Sequence, residues 1–561
     1  MSSPVALSNA EIADKLGSLA QVLSTQKENP FKIKAYRRAA KTIRTLSESI
    51  SELVRTGADL TEYAGIGKAI GGAIREIAQT GTLKQLETLR SQLAPEVAAI
   101  SEYPRLDPGR VLRVYKKLKI ASIDELREKL ASGEIAEKLG ARMDQHVRQA
   151  LTERQEILIH EADKVAAAVR DFLLANGATR AEIAGDLRRR VEVIGEISFL
   201  IETGDFAGVV SKLKQYGGRS QLLNAGEDSA LFKLPSECVL RVEAADKSKW
   251  GLALIAATGS DEHVRKLQAS GANLVALAKW KTSYRTETSV YRAAGLSCIE
   301  PELREGRDEI DLAASDALPR LVYVSDIRGE LHAHSTSSDG AHTIEQMAAA
   351  AQARGYEYTG ITDHSQSLKI AGGLSISDLR AQIRYIDKWN EKSAGFRVLK
   401  SAEVDILEDG SLDYPDELLK QLDYTVCSIH SRFILGKAQQ TARILRAMDY
   451  RYFTILGHAT GRLLLKRPGY EIDIERVIEH ARKNGCFFEI NSSPDRLDLS
   501  ASNARLASEA GVKIAINTDA HSTREFGYIQ GGVDQARRAG LEKKSVLNTY
   551  KLPELLRLLK R

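Results

Sequence analysis

Eight of the 11 histidines lie after residue 320, and most of them fall at the end of an apolar run. The first such place is His332-Ala333-His334, followed by Asp339. The second is Thr362-Asp363-His364, and the third carries Glu403 and Asp405. His430 and Gly457-His458 end the next two runs, Glu489-Ile490-Asn491 the sixth, and Asn517-Thr518-Asp519-Ala520-His521 the seventh. Imidazole and carboxylate are the ligand types of Mn, Zn and Fe(II), and neutral imidazole is available at pH 7. Six histidines and several acids on one rim would repel or waste one another without cations. Adjacent cations suit phosphoester hydrolysis, because they activate water and stabilise both attacking and leaving oxygens. Taken singly, each histidine reads better as a helix cap or a hydrogen-bonded core residue than as a ligand; the ensemble favours metal. Arg462 and Arg496 are candidates to grip a substrate phosphate, since guanidinium pairs with phosphate through two bonds. A surface or interdomain salt bridge is the other reading of both. Asp363 and Asp405 are expected to orient ligands from behind.

Those residues need elements to position them. Strand-like runs occur near Leu331–Ser335, Tyr358–Thr362, Val398–Ile406, Tyr424–Ile429, Phe453–Leu456, Phe487–Asn491 and Val512–Asn517. Helical patterns fall between most of them, at Thr343–Arg354, Ile376–Trp389, Thr441–Met448 and Ile474–Asn484. Seven strands alternating with helices predict a closed or nearly closed parallel barrel. Barrel sites sit at the carboxyl ends of strands, which is where the histidines fall. Residues i and i+2 of a strand share a face, so His332 and His334 point the same way.

Residues 326–561 resemble a PHP (polymerase and histidinol phosphatase) domain, a distorted seven-stranded barrel for up to three metal ions. The HxH…D, DH, E, H, H and DxH motifs are all present in order. The resemblance implies nine ligands: His332, His334, Asp339, His364, Glu403, His430, His458, Asp519 and His521, with Glu403 bridging. It implies divalent Mn and/or Zn, with Fe(II) also possible.

The N-terminal part reads differently. Residues 1–155 are nearly all helical in pattern, as in Ile12-Ala13-Leu16-Leu19-Leu23 and Ile43-Leu46-Ile50-Leu53. A helix over 156–176 ends at Asn176-Gly177, followed by strand-like Val191–Ile201, Ala230–Leu234 and Val239–Val242. Gly65-Ile66-Gly67-Lys68 makes a turn opening a helix, which presents backbone N–H groups to a phosphate. Gly65, Gly67 and Lys68 are the candidate DNA-binding residues. With Tyr36-Arg37-Arg38, this segment resembles the eight-kilodalton domain of family X DNA polymerases and its helix-hairpin-helix. Thr258-Gly259-Ser260 and Ile299–Glu305 resemble that family's sugar-reading segment and thumb ending. The whole chain thus resembles a bacterial or archaeal family X polymerase carrying a PHP domain.

The departures from that family carry information. Its palm uses Gly-Ser, Asp-x-Asp and a third Asp to hold two Mg²⁺ ions. Here the positions read Gly185-Asp186, Glu196-Ile197-Ser198 and Val239. Only Glu196 can still bind metal, and Asp186 puts negative charge where a triphosphate would sit. Arg188, Arg189 and Arg190 read either as phosphate contacts or as a solvated face. The second hairpin has Arg105-Leu106-Asp107-Pro108 in place of Gly-x-Gly-Pro, and the lyase lysine aligns with Ala73.

The expected architecture is multidomain α/β. It runs as a helical helix-hairpin-helix domain (1–90), a fingers-like helical domain (91–155), a degenerate palm-like domain (156–250), a thumb-like domain (251–320) and the barrel (321–561). The net charge of +5 names no partner, and no run of like charges forms a basic arm. Four cysteines with no CxxC pair exclude a disulfide scaffold and predict a reducing cytosol. The N-terminus lacks signal-peptide character, and no stretch of about 18 apolar residues predicts a membrane span. The expected function is a DNA-processing, metal-dependent phosphoesterase. It would be a 3′→5′ exonuclease or 3′-end-processing nuclease of DNA repair, acting on 3′ ends of gapped or single-stranded DNA in the cytoplasm. The alternatives are a working template-directed polymerase, a histidinol-phosphatase-like enzyme and a non-enzymatic DNA-binding module.

Overall fold

The computed structural model describes residues 7–26, 28–92, 156–269 and 283–560, with 113–114, 117–118, 120, 123–140, 143–144 and 147–148 between them. The second hairpin expected at Arg105–Pro108 lies outside the described residues. Contacts group the chain into two units. One comprises Met1–Arg188, Val193–Thr258 and Leu274–Val290; the other comprises Arg189–Glu192, Gly259–Asn273 and Tyr291–Arg561.

The first unit begins with helices α1 (Asn9–Thr25), α2 (Pro30–Thr45), α3 (Ile50–Arg55), α4 (Lys68–Thr80) and α5 (Lys84–Ser91). Ser8 starts α1 by a reciprocal capping pair with Glu11, and Asn29 caps α2 just before Pro30. Ile12, Leu16, Leu19 and Leu23 recur at helical spacing and are buried against Ile33, Tyr36, Ile43 and Ile74. A short pair, β1 (Ile157–Leu158) with β3 (Val193–Ile194), and helix α6 (Ile159–Ala175) flank a five-stranded sheet. That sheet contains β2 (Arg180–Ala184), β4 (Glu196–Glu202), β5 (Gln221–Ala225), β6 (Ser229–Lys233) and β7 (Val239–Ala244), in the order β2-β4-β7-β6-β5. β4 and β7 run parallel, with Glu196 opposite Val239 and Ser198 opposite Arg241. The run expected as one strand over Val191–Ile201 is two strands, split at Gly195.

In the second unit, β8 (Gly329–Glu330), β9 (Tyr358–Ile361) and β10 (Arg397–Lys400) form one parallel ladder. β11 (Glu403–Asp405), β12 (Val426–Ser428), β13 (Ile455–Leu456), β14 (Phe487–Asn491) and β15 (Ile514–Asn517) form another. Parallel bridges join the ladders at both seams: Ala333 to Ala520, and His364 to Glu403. The result is a closed barrel with seven strand positions. Two sequence expectations need correction. Val398–Ile406 is not one strand, because it leaves its first neighbour after Lys400 and joins the next at Glu403. Leu331–Ser335 lies beyond the regular ladder; Ala333 holds both neighbours, accepting from Thr362 N at 2.8 Å and pairing with Ala520. Helices α7 (Ile344–Ala353), α8 (Ile376–Lys392), α9 (Lys437–Met448), α10 (Ile474–Asn484), α11 (Ala501–Glu509) and α12 (Ile529–Arg538) belong to the same unit and contribute to its core. Among the described residues, no helix is long and apolar enough to cross a membrane.

Candidate metal centre

Ala333 faces the wall of the barrel, so its neighbours His332 and His334 face inward, and both are fully buried. The strand ends bring all nine candidate ligands into one continuous cluster. Glu403 lies at its middle. One carboxylate oxygen is 2.8 Å from His364 Nδ1, 3.5 Å from His332 Nε2 and 3.7 Å from His334 Nε2. The other is 2.8 Å from His458 Nε2 and 3.3 Å from His430 Nε2. Asp519 Oδ1 lies 3.1 Å from His334 Nε2 and 3.5 Å from His332 Nε2. Asp339 Oδ1 lies 3.4 Å from His521 Nε2, 3.6 Å from His364 Nε2 and 3.9 Å from His334 Nδ1. Three overlapping groups have ligand atoms close enough to share an ion: His334-Asp339-His364-His521, His332-His334-Asp519 and His364-Glu403-His430.

The rings are aimed from behind. His332 Nδ1 donates to Glu489 Oε1 at 2.7 Å, and His430 Nδ1 donates to Asp405 Oδ1 at 2.7 Å. His521 Nδ1 donates to the Asp519 carbonyl at 2.8 Å. Each bond fixes the tautomer and leaves Nε2 facing the cluster, an arrangement suited to metal ligation. Asp363 does not touch a ligand ring. It accepts from Ser335 N (2.7 Å), Ser335 Oγ (2.6 Å), Ser338 Oγ (2.6 Å) and Gln382 Nε2 (2.5 Å), tying down the segment that leads to Asp339.

The electrostatics and the bonding both leave room for cations. Burial pushes the Glu403 carboxyl up, but His430, His364 and His332 outweigh burial and hold it well below the usual range. Burial lowers His364, but Glu403 and Asp339 outweigh it and raise the ring to about 10. His430 and His521 are each raised to about 9 against burial, by Glu403 and Asp405 for the first and by Asp339 and Asp519 for the second. His334 goes the other way, to about 4, through burial and the neighbouring His364. The protein alone thus balances its buried carboxylates with imidazolium. His332 Nε2 and His334 Nδ1 are nevertheless buried without a hydrogen-bond partner. Buried orphan atoms are rare, and two of them within one cluster of imidazoles and carboxylates fit a set of divalent cations.

The two arginines differ. Arg496 Nε lies 3.6 Å from Asp519 Oδ2, at the edge of the cluster. Arg462 instead forks Glu192 at 3.1 and 2.6 Å and also donates to the carbonyls of Arg496 and Leu497. Its guanidinium is engaged by protein groups.

Sequence spacing marks Glu489 only as a strand-end acid, and the structure gives it a role. Besides His332, it accepts from His458 N (2.9 Å) and from Asn517 Nδ2 (2.9 Å). Glu330 was not singled out at all. It is fully buried and accepts from Thr518 N, Thr518 Oγ1 and His332 N, crossing the seam between the first and last strands. Burial raises it to about 7 against those bonds. The i, i+2 spacing of Glu330 with His332 was the available signal.

In the five-stranded sheet, Ser198 Oγ donates to Glu196 Oε1 at 3.2 Å, and Val239 is buried opposite Glu196. Arg241 forks Glu196 with Nε at 2.6 Å and Nη2 at 3.1 Å. Asp186 lies in a single helical turn, Gly185–Arg188. Arg188 donates to Thr258 Oγ1 and forks Glu287, while Arg189 and Arg190 meet Glu305 and Asp534. None of the three is a bare solvated cation.

In the helical region, Gly65 has φ of +86°, and the Arg38 side chain lies over it. Gly67 starts α4 without a side-chain cap, and the space beside it is open. The first N–H groups of a 13-residue helix beginning at Lys68 are therefore accessible to an anion.

Comparison with known proteins matches residues 7–83 to a helix-hairpin-helix domain and residues 330–493 to a PHP domain. The chain is 32% identical to the DNA polymerase/3′-5′ exonuclease PolX of Bacillus subtilis (strain 168), over 98% of this chain and 99% of that protein. Part of the chain is similar to shorter proteins as well. A probable phosphatase of Thermoanaerobacter sp. (strain X514) is 32% identical over 39% of this chain and 89% of its own length. One of Acetivibrio thermocellus is 28% identical over 39% of this chain and 90% of its own.

Proposed function

Because the chain belongs to the family of the DNA polymerase/3′-5′ exonuclease PolX, we propose that it is a metal-dependent 3′→5′ exonuclease or 3′-end-processing nuclease whose polymerase-like part binds DNA without extending it. The observation that carries this reading is the contrast between two acidic centres. Around Glu403, the nine candidate imidazoles and carboxylates form one cluster that includes buried ring nitrogens without a partner. Around Glu196, the neighbouring positions are Ser198 and Val239, and a guanidinium holds the one remaining carboxylate. Two-metal nucleotidyl transfer needs several carboxylate oxygens, and the positions Glu196, Ser198 and Val239 offer one engaged carboxylate.

The nine groups would hold up to three ions, Mn²⁺ and/or Zn²⁺, with Glu403 shared between them. Ions so held supply Lewis acidity and an activated water for attack on a phosphodiester. Glu489 and Asp405 keep His332 and His430 in the ligating orientation, and Glu330 fixes the backbone of both His332 and Thr518. Arg496 stands at the cluster edge, where it can pair with a phosphate oxygen. Arg462 serves by holding the segment that carries Arg496. Gly65, Gly67 and Lys68 would bind the DNA backbone through the open N-terminus of α4, and we place the protein in the cytoplasm, in DNA repair. The domain limits given above stand as our division of the chain.

A 5′-labelled oligonucleotide incubated with chelator-stripped protein tests the reading. Shortening from the 3′ end should return on adding Mn²⁺; products that appear without metal would contradict it. A second reading, hydrolysis of small phosphomonoesters, is favoured by the barrel's likeness to probable phosphatases. Comparing kcat/KM for a phosphomonoester and for single-stranded DNA separates the two.

A further inference from the structure

We propose that Ile370 and Ile434 form an apolar grip for the nucleobases of the strand whose 3′ end enters the metal centre. The inference rests on the nuclease reading above and deepens it. Among the described residues, these are the two most exposed large hydrophobic side chains, at 97% and 91%. Isolated exposed aliphatic residues are ordinary on a protein surface. These two are not isolated from function, because each stands on a loop that follows a ligand-bearing strand end. Ile370 follows His364, Ile434 follows His430, and the two rings are 5.4 Å apart.

One residue ties the bases of both loops together. Asp405 accepts from His430 Nδ1 with one oxygen and from Ser367 Oγ with the other. Each loop is also fastened at its own base. Ser367 N donates to Asp413 Oδ2 at 2.7 Å, and Leu374 N donates to the His364 carbonyl at 2.8 Å. On the other side, Arg443 Nη1 donates to the Ser431 carbonyl at 3.0 Å, and Phe433 packs under Arg467 with its ring centre 4.3 Å away. Fastened bases with bare aliphatic tips present apolar surface on two loops that leave the ligand-bearing end of the barrel. Lys369 and Lys437 are exposed next to the tips, and cations there suit a phosphate backbone. Apolar contact to base faces is tolerant of sequence, as an exonuclease requires. A small phosphomonoester has no group for the tips to touch.

The test uses the full chain and single-stranded DNA whose three 3′-terminal nucleotides are either normal or abasic. The wild-type protein should show a KM for the abasic strand about tenfold higher, from lost base contact. In I370S/I434S, the KM for normal DNA should rise about tenfold with kcat within about twofold, and the two strands should become equivalent. Each single variant should give an intermediate KM. Hydrolysis of bis(p-nitrophenyl) phosphate reports the metal centre without bases. An unchanged KM for normal DNA in the double variant overturns the proposal. So does a parallel loss of diester and DNA hydrolysis, or a change confined to oligomeric state. If the wild-type protein cuts the diester but neither DNA strand, the nuclease reading itself fails.

Discussion

Arg241 grips Glu196 across two adjacent parallel strands, with nitrogen–oxygen distances of 2.6 and 3.1 Å. The same position in a working palm would offer its carboxylate to metal. A guanidinium satisfies that carboxylate with a permanent charge, so a divalent cation must displace it to bind.

Removing Arg241 should therefore not create a polymerase. In Arg241→Ala, Glu196 is freed, but Ser198 and buried Val239 still supply no carboxylate. Primer extension with dNTPs and Mg²⁺ or Mn²⁺ should stay at background in both wild type and variant. Extension in the variant alone would mean that the salt bridge, and not the missing acids, silences the site.

Glu489→Gln should loosen metal without abolishing chemistry. Glu489 orients His332 but is not placed to ligate. Apparent metal affinity should fall about 10–100-fold, measured by competition with a chelator, and kcat should recover at saturating Mn²⁺. A kcat that stays low at saturation would make Glu489 a direct participant.

Metal uptake should release protons. In the metal-free chain His364 is raised to about 10, and His430 and His521 to about 9, so all three are imidazolium at pH 7. Ligation needs the neutral ring, so each ligating ring must lose its proton on binding. Affinity should therefore rise with pH between 7 and the ring values. Calorimetry in buffers of different ionisation enthalpy measures the release, and a pH-independent affinity would contradict these charges.

Arg443→Ala should destabilise the barrel unit. The fully buried guanidinium donates to the carbonyls of Ile406, Leu407 and Ser431, joining the ends of two strands. Losing those bonds removes the guanidinium donor from the buried Ile406 carbonyl and from two partly exposed ones, at a cost of about 2–4 kcal/mol. Chemical denaturation followed by a barrel-specific probe would measure it. Arg443→Lys should recover part of the loss, since one ammonium cannot reach all three oxygens.

The barrel was legible because strand alternation and ligand chemistry coincide. His332 and His334 share a face by period two, and every histidine of the cluster ends an apolar run, so position and residue type agreed. What stayed hidden depends on contacts between distant segments. Glu489 looks like any strand-end acid until the packing puts His332, 157 positions away, against it. Arg241 reads as an ordinary exposed strand residue, because only the β4–β7 register sets it beside Glu196. Arg462 could have faced phosphate or protein, and its partner Glu192 is 270 positions distant. The break at Ser401-Ala402 was invisible because the apolar run continues through a change of neighbour. β2 and β5 were missed because neither shows a sustained alternation: Gln221–Ala225 is largely exposed.

The most direct test uses a 5′-labelled primer annealed to a longer template, with Mn²⁺, with and without dNTPs, for the wild type and His332→Ala. The wild type should shorten the primer stepwise under both conditions, with no lengthening in any lane and no shortening by the variant. Primer lengthening that depends on dNTPs, or shortening that survives in His332→Ala, would contradict this reading.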